Sequence, residues 1–269
     1  MSSTRKTLDL LSFFSAARPE IGLSELHRLA KRDKATTHRH LQTLEHIGFV
    51  EQNNATKKYR LGPALLALAR TREVTVPRKA GAIEPLSQLA LAVGETTHAS
   101  ILSGTSLFSL AACSSPQHST RVVIDLDRFP LHATASGHCV LAFGPAELID
   151  VAHENIETFT DHTIASAHSL AQTLDVVRST GFGRSLRSFE QEVSSLAVPV
   201  FDETGQCAGA VSVACVATRF SPALERTCQE HLILASRAIT KNWGGVVSDN
   251  IEALWASALS TSTILDTAS

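Results

Sequence analysis

Two short stretches of this 269-residue chain hold side chains whose types and spacing suit chemistry. The first, "KATTHRHLQTLEHIGFV", runs from Lys34 to Val50 and carries His38, Arg39 and Gln42, all rich in hydrogen-bonding groups. The second, "FPLHATASGHCVLAF", runs from Phe129 to Phe143 and gathers His132, Ser136, His138 and Cys139 around a run of small residues. Hydroxyl, thiol and imidazole groups this close in sequence can form a nucleophile–base pair. A small-residue turn that enters a helix near Thr134 can instead cradle an anion, because the first backbone N–H groups of a helix lack internal partners.

On a helical wheel the first stretch divides cleanly. Thr37, His40, Leu41, Leu44 and Ile47 form one inward stripe. Ala35, His38, Arg39 and Gln42 lie on the far side, flanked by Thr36 and Thr43. Such a face is either a solvated surface or a surface that reads another molecule. Arginine matches guanine O6 and N7, glutamine matches adenine N6 and N7, and a small alanine permits close approach. Lys34 and Thr36, at the helix N-terminus, are placed for phosphate. His38, His40 and His46 lack the three- or four-residue spacing of metal ligands on one helix face, so no metal is expected there.

The elements that must position this helix are legible around it. Thr4 to about Ala17 has helical apolar spacing, and "ARPEIG" ends it. "GLSELHRLAKR" predicts a second short helix with Leu23, Leu26 and Leu29 on one face and Ser24 as N-cap. "DKAT" is a tight connection, and the third helix spans about Ala35 to Ile47, closed by Gly48. "FVEQ", "NNAT" and "KKYRLG" read as strand, turn and strand. Three short helices and a hairpin describe a winged helix-turn-helix, with the third helix in the DNA major groove and the wing along the backbone. Lys57, Lys58 and Arg60 in the wing add backbone contacts. The expected face toward double-stranded DNA is thus Lys34, Thr36, His38, Arg39, Gln42, Thr43, Lys57, Lys58 and Arg60.

Charge is distributed to match. Residues 1–80 hold fifteen Lys/Arg against seven Asp/Glu, and residues 81–269 hold nine against nineteen. A basic third on an acidic remainder points to an anionic partner at one end, although two domains of different surface charge would look the same. No apolar run reaches the roughly 18 residues of a membrane span, and no signal-peptide core opens the chain. A soluble, cytoplasmic protein without membrane contact is expected. The five cysteines are odd in number and form no CxxC pair, so reduced, mostly buried thiols are expected in place of a disulfide frame or zinc ribbon.

Beyond Pro63 a helix runs through "ALLALARTR", Pro77 interrupts it, and "AGAIEPLSQLALAVGE" makes another that ends at Gly94. These apolar helices predict a linker that also packs on a partner chain. Strands are expected near 96–102, 106–112, 120–124, 182–185, 194–201 and 208–216, and helices near 134–143, 145–153, 169–180 and 221–243. This is an antiparallel sheet with helices beside it. No GxGxxG or GxxxxGK[ST] motif supports a nucleotide fold. The expected divisions are 1–62 for DNA binding, 63–94 for linkage and dimerisation, 95–244 for a second domain, and 245–269 as an extension. In that extension Ile251, Leu254, Trp255, Ala258 and Leu259 either line a helix docking on a neighbour or belong to a disordered tail.

Two other chemistries compete for the second stretch. An enzyme would use Ser136 or Cys139 with His132 or His138, but no G-x-S-x-G elbow and no nearby orienting acid is present. A metal sensor would use Cys113, His118, His132 and Cys139, whose spacings match no zinc pattern. Neither an enzyme nor a cofactor is expected.

At these residues the chain resembles the IclR family of bacterial transcription regulators, over about residues 4–243. "KATTHRHLQTLEHIGFVEQ" is similar to the family's recognition helix and wing entry, and "KKYRLGPALLALA" to its wing exit and linker helix. "FPLHATASGHCVLAF" resembles its PLHATAxGK stretch, and "SSLAVPVFDETGQCAGAVSVACVATRFS" its CIAAPVFD…G…AAxSVSGP segment. The resemblance implies an α+β chain, with an N-terminal winged helix-turn-helix and a C-terminal effector domain built on a GAF-like antiparallel sheet. It implies homodimers joined through the DNA-binding domains and often paired into tetramers, a near-palindromic operator, and a small organic acid or aromatic catabolite as effector. It further implies that the amides of Ala135 and Ser136, beside Gly137, hold the effector's carboxylate. The family's acidic and cysteine positions read Ser185 and Ser195 here. Ser212 is kept, the second serine of that strand is Ala214, and the family lysine is His138. This predicts an uncharged, somewhat larger pocket for an acid with an apolar body, with Arg121, Arg184 or Arg187 as countercharge or as surface residues.

Overall fold

The computed structural model describes residues 3–15 and 17–266, with side chains through residue 260. Ala16 and residues 267–269, parts of the expected first helix and of the extension, lie outside the described residues. The chain forms two compact units, Met1–Pro77 and Arg78–Ser269.

In the first unit α1 (Ser3–Leu8) passes into a 3-10 turn, Asp9–Phe13, so the single helix expected from Thr4 is cut short. Its residues have other partners: the Ser12 hydroxyl donates to Asp9 O (2.7 Å), and the Asp9 carboxylate pairs with Arg32 (3.2 Å). β1 (Ile21–Gly22) precedes α2 (Leu23–Leu29), which is capped by extended Gly22, so Ser24 lies inside the first turn and is not the N-cap. α3 (Lys34–His46) starts at Asp33, whose carboxylate accepts the Thr36 amide at 2.7 Å. It buries Thr37, His40, Leu41 and Leu44. Ile47 falls just past its end and is 48% exposed, because the chain has already left helical geometry there.

β2 (Val50–Gln52) and β3 (Lys58–Leu61) form the wing. Asn53 Oδ1 accepts the amides of Ala55 and Thr56, which closes its turn. β1 pairs with β3 as a third strand that the sequence did not suggest. Leu10, Phe14, Ile21, Leu26, Leu41, Leu44, Val50 and Tyr59 make the core. Gly62 is pressed against the backbone of Gly48, where a Cβ would meet a carbonyl oxygen at 2.2 Å. α4 (Ala64–Thr75) follows and buries none of its residues.

The second unit begins with α5 (Arg78–Val93), whose Ala82, Leu86, Leu89 and Val93 are core residues. The expected 63–94 linker therefore divides, α4 falling in the first unit and α5 in the core of the second. β4 (Thr96–Ser103) and β5 (Ser106–Cys113) form a hairpin, and β6 (Arg128–Phe129) adds a short edge strand. The strand expected near 120–124 is absent: residues 114–127 run without a ladder, although Val122 is buried. α6 (Ala135–Phe143), α7 (Glu147–Glu154) and α8 (Ala167–Thr180) come next, then β7 (Gly183–Leu186), β8 (Val193–Phe201) and β9 (Cys207–Val216). The sheet is antiparallel, in order β6-β5-β4-β9-β8-β7.

α9 (Pro222–Asn242), capped by Ser221, packs beside α5. The extension forms α10 (Asp249–Asp266). It is helical through Asp266, and its apolar residues up to residue 260 pack on their own unit: Ile251 and Trp255 are buried in that core, and Leu254, Ala258 and Leu259 lie against it. The Trp255 indole N–H donates to Gly181 O (3.1 Å), and Arg237 pairs with Glu252. Among the described residues no helix is long and apolar enough to cross a membrane.

Candidate functional site

The outer face of α3 is open. Lys34, Ala35, Arg39, Gln42 and Thr43 are exposed, and Thr36 and His38 are half-buried. Two of the expected contacts are already engaged within the chain. The Thr36 amide is taken by Asp33, a carboxylate that stands where a phosphate would. The Thr43 hydroxyl turns back to Arg39 O (3.1 Å). That amide bond, first, holds the Asp33 carboxyl below its ordinary range. In the wing Lys57 and Lys58 are exposed, while Arg60 is paired with Glu51 (2.6 Å) and lies 3.9 Å from Glu20. His40, at the edge of the core, bonds the Thr7 hydroxyl through Nδ1.

In the second unit the sheet register builds a different site. Ser185, Ser195, Ala214 and Thr96 form one row across β7, β8, β9 and β4. Gly183, Ala197, Ser212 and His98 form the next row on the same face. Nearly every member is small, which lets α6 approach: a Cβ on Gly183 would meet Ala135 O at 2.3 Å. Thr134 caps α6, its Oγ1 accepting the Gly137 amide (3.1 Å) and donating to Pro130 O (2.8 Å). The first helical bond runs from His138 N–H to Thr134 O. The amides of Ala135 and Ser136 precede it and have no helical acceptor.

A cavity of about 50 Å³ lies where α6 meets this face. Ala135, Ser136, Ser185, Ser195 and Ala214 line it, as the sequence indicated. Three expected residues stand elsewhere. Gly137 is packed on Leu131, where a Cβ would meet a carbonyl at 2.3 Å, and its amide is spent on the cap. Ser212 lies behind His98, and Arg121 is exposed outside the lining. Arg184 pairs with Glu225 (2.9 Å), and Arg187 is not among the lining residues either. Val122, Ile124, Leu126 and Phe189 give it apolar walls.

The residue that sequence reasoning missed is His98. It is buried, lines the cavity and stacks on Phe129 at 4.8 Å with 19° between the rings. Ser212 Oγ is 2.9 and 2.8 Å from its two ring nitrogens, and Ser136 Oγ is 3.4 Å from Nε2. Burial pushes it down to about 4, so the ring is neutral near pH 7. The only signal in the sequence was a histidine inside an expected strand; its place opposite Ser212 comes from the β4–β9 register.

The competing chemistries find different surroundings. His138 is held at both ring nitrogens by the carbonyls of Arg184 and His132 (2.7 and 2.9 Å), and His132 Nε2 by Glu157 O (2.8 Å). Burial raises the Cys139 thiol far above its ordinary range, the reverse of an activated nucleophile. Among the described residues no three metal-binding side chains converge.

Comparison with known proteins agrees with both halves of the geometry. Residues 3–54 match the IclR helix-turn-helix domain, and residues 78–241 match the bacterial transcriptional regulator IclR C-terminal family. The chain is 28% identical over 230 residues to the glycerol operon regulatory protein of Streptomyces coelicolor, covering 86% of this chain and 88% of that one. A structure of a putative IclR transcriptional regulator from a Silicibacter species superposes with a TM-score of 0.87 at 36% identity, over 93% of this chain and 99% of that one. An IclR homolog from Microbacterium hydrocarbonoxydans, complexed with 4-hydroxybenzoate, shares the fold with a TM-score of 0.72 at 22% identity, over 90% and 99%. The helix-turn-helix at one end, the antiparallel sheet with its α6 cavity at the other, and these matches over both place the chain in the IclR family of bacterial transcriptional regulators, a DNA-binding regulator and not an enzyme.

Proposed function

We propose that this regulator controls a catabolic operon from the cytoplasm, as a homodimer or tetramer on a near-palindromic operator, and that a small organic acid or aromatic metabolite in the α6 cavity alters its grip on DNA. One observation carries the effector reading: Ala135 and Ser136, whose helix-initial amides have no helical acceptor, line a cavity with apolar walls. Carboxylates bind such amides through the helix dipole and directed N–H bonds. The segment carrying Val122, Val123, Ile124 and Leu126 supplies the apolar contact and acts as a lid over the effector.

On the DNA side α3 offers Arg39 and Gln42 to base edges, with Lys34, Lys57 and Lys58 for the backbone and His38 beside them. α4 leaves Leu66, Leu68 and Val74 exposed, and a second copy is the partner that would cover them. The regulated operons of relatives, and the 4-hydroxybenzoate held by one neighbour, fit a catabolic role.

The test is a gel-mobility shift on the DNA upstream of the chain's own gene. Carboxylic acids and polyols are added in turn, with melting temperature read in parallel, since a ligand that prefers the folded state raises it. Retardation that one class of compound modifies supports the reading. No retardation with any fragment sinks the DNA assignment, and retardation that no compound changes sinks the effector assignment.

A further inference from the structure

Resting on the α6 cavity as the effector site, one question is what supplies the polar contacts there. Among the described residues no lysine or arginine lines the cavity, and the charged residue at its rim, Glu190, carries the wrong sign for an anion. Only neutral donors remain: two amides, the hydroxyls of Thr134, Ser136, Ser185 and Ser195, and the His98 ring, and Thr134 is already spent on Pro130 O. Ser185 donates to Ala133 O (2.8 Å) and is occupied. His98 is not fully occupied. The Ser212 hydroxyl has one proton and donates to one ring nitrogen at a time. With Ser212 donating to Nδ1, the ring proton sits on Nε2, which has Ser212 Oγ at 2.8 Å and Ser136 Oγ at 3.4 Å, the latter a long bond. Nε2 thus lies beside Ser136, one of the two residues whose amides form the anion cradle.

We propose that His98 is the specificity-determining residue of this effector site. Its Nε2–H joins the amides of Ala135 and Ser136 in holding a single carboxylate. The cavity accordingly takes monocarboxylates with a flat apolar body, which lies against Phe129 and the Val122–Leu126 lid, and rejects dicarboxylates. A second carboxylate would be buried without a cation, the arrangement that costs most in a dry site. An anion beside the ring also favours the imidazolium, so binding takes up a proton as pH falls. Around His98 stand Thr96 and Ser100 of β4, Ser212 and Ala214 of β9, Ser136 of α6 and Phe129 of β6, none ionisable in this range. Glu190, on the β7–β8 connection, is the one charged group that shares the cavity.

The experiment is isothermal titration of the full chain with benzoate, terephthalate, pyruvate, succinate and glycerol, in buffers of different ionisation enthalpy between about pH 7 and about pH 5. Wild type should bind benzoate, and bind terephthalate at least about tenfold more weakly. His98→Phe should weaken benzoate by about tenfold or more, and His98→Gln, which keeps a donor, should recover part of it. Proton uptake with benzoate should grow toward low pH in wild type and vanish in His98→Gln. A cooperative melt checks that each variant is folded. The proposal is overturned if terephthalate, pyruvate or succinate binds as well as benzoate, if His98→Phe leaves benzoate affinity unchanged, or if proton uptake is absent in wild type or survives in His98→Gln. In each of those outcomes the effector reading itself stands. If no compound binds, the effector reading fails, and the role of His98 with it.

Discussion

Arg39 and Lys58 are both exposed cations, but they stand on elements with different duties. Arg39 projects from the open face of α3, and Lys58 from the wing. Arg39→Ala should cost about 1–3 kcal/mol on the operator and far less on random DNA, so discrimination falls. Lys58→Ala should weaken both equally and lower the salt slope by about one. Fluorescence anisotropy on the two duplexes measures both, and unchanged affinities in both variants would remove α3 from the interface. His98 has a separate effect on stability. Its pKa falls from 6.5 to about 4 on folding, so the unfolded chain binds more protons between these values. Stability should be complete above about pH 6.5, decline by at most roughly 3 kcal/mol as pH drops toward 4, and level off below. His138, pushed down by burial, acts in the same sense. Urea midpoints across this range should show the decline, and His98→Phe should flatten it.

Among the elements, the 114–127 segment supplies Val122, Val123, Ile124 and Leu126 to the cavity lining. Thr96 Oγ1 donates to Val122 O at 2.6 Å and ties its middle down. Thr96→Val keeps the shape and removes that tie. It should cost about 1 kcal/mol of stability and speed effector association, which stopped-flow mixing measures. This segment also marks where the sequence stopped being legible. "RVVIDL" has the β-branched content of a strand, yet it joins no ladder, even though β6 pairs with β5 only at Leu107 and Phe108. α3 was legible because a period of 3.6 leaves one side to bury, and Thr37, His40, Leu41 and Leu44 are that side. Ile47 followed the same period and failed, since the helix had ended. Of the cavity, the turn at Thr134 and the serines of β7 and β8 were readable from motif. His98 was not, because its neighbours Ser212 and Ser136 lie 114 and 38 residues away and only the β4–β9 register brings them together.

At the scale of the whole molecule, the basic residues concentrate in the first third, and the rest is acidic. A dimer making on the order of six phosphate contacts should lose about a thousandfold in DNA affinity between roughly 50 and 200 mM salt. Effector affinity, if set in the α6 cavity, which no lysine or arginine lines, should hardly move over the same range, and titration at two salt concentrations separates the two. The aromatic residues divide along the same line. The single tyrosine, Tyr59, is buried in the wing of the first unit, whereas both tryptophans, Trp243 and Trp255, are buried in the second. Light that excites indole alone will therefore report the unfolding of the sensing half and stay silent about the DNA-reading half. The phenol gives the complementary signal, and a melt followed at both wavelengths distinguishes one transition from two without any attached dye.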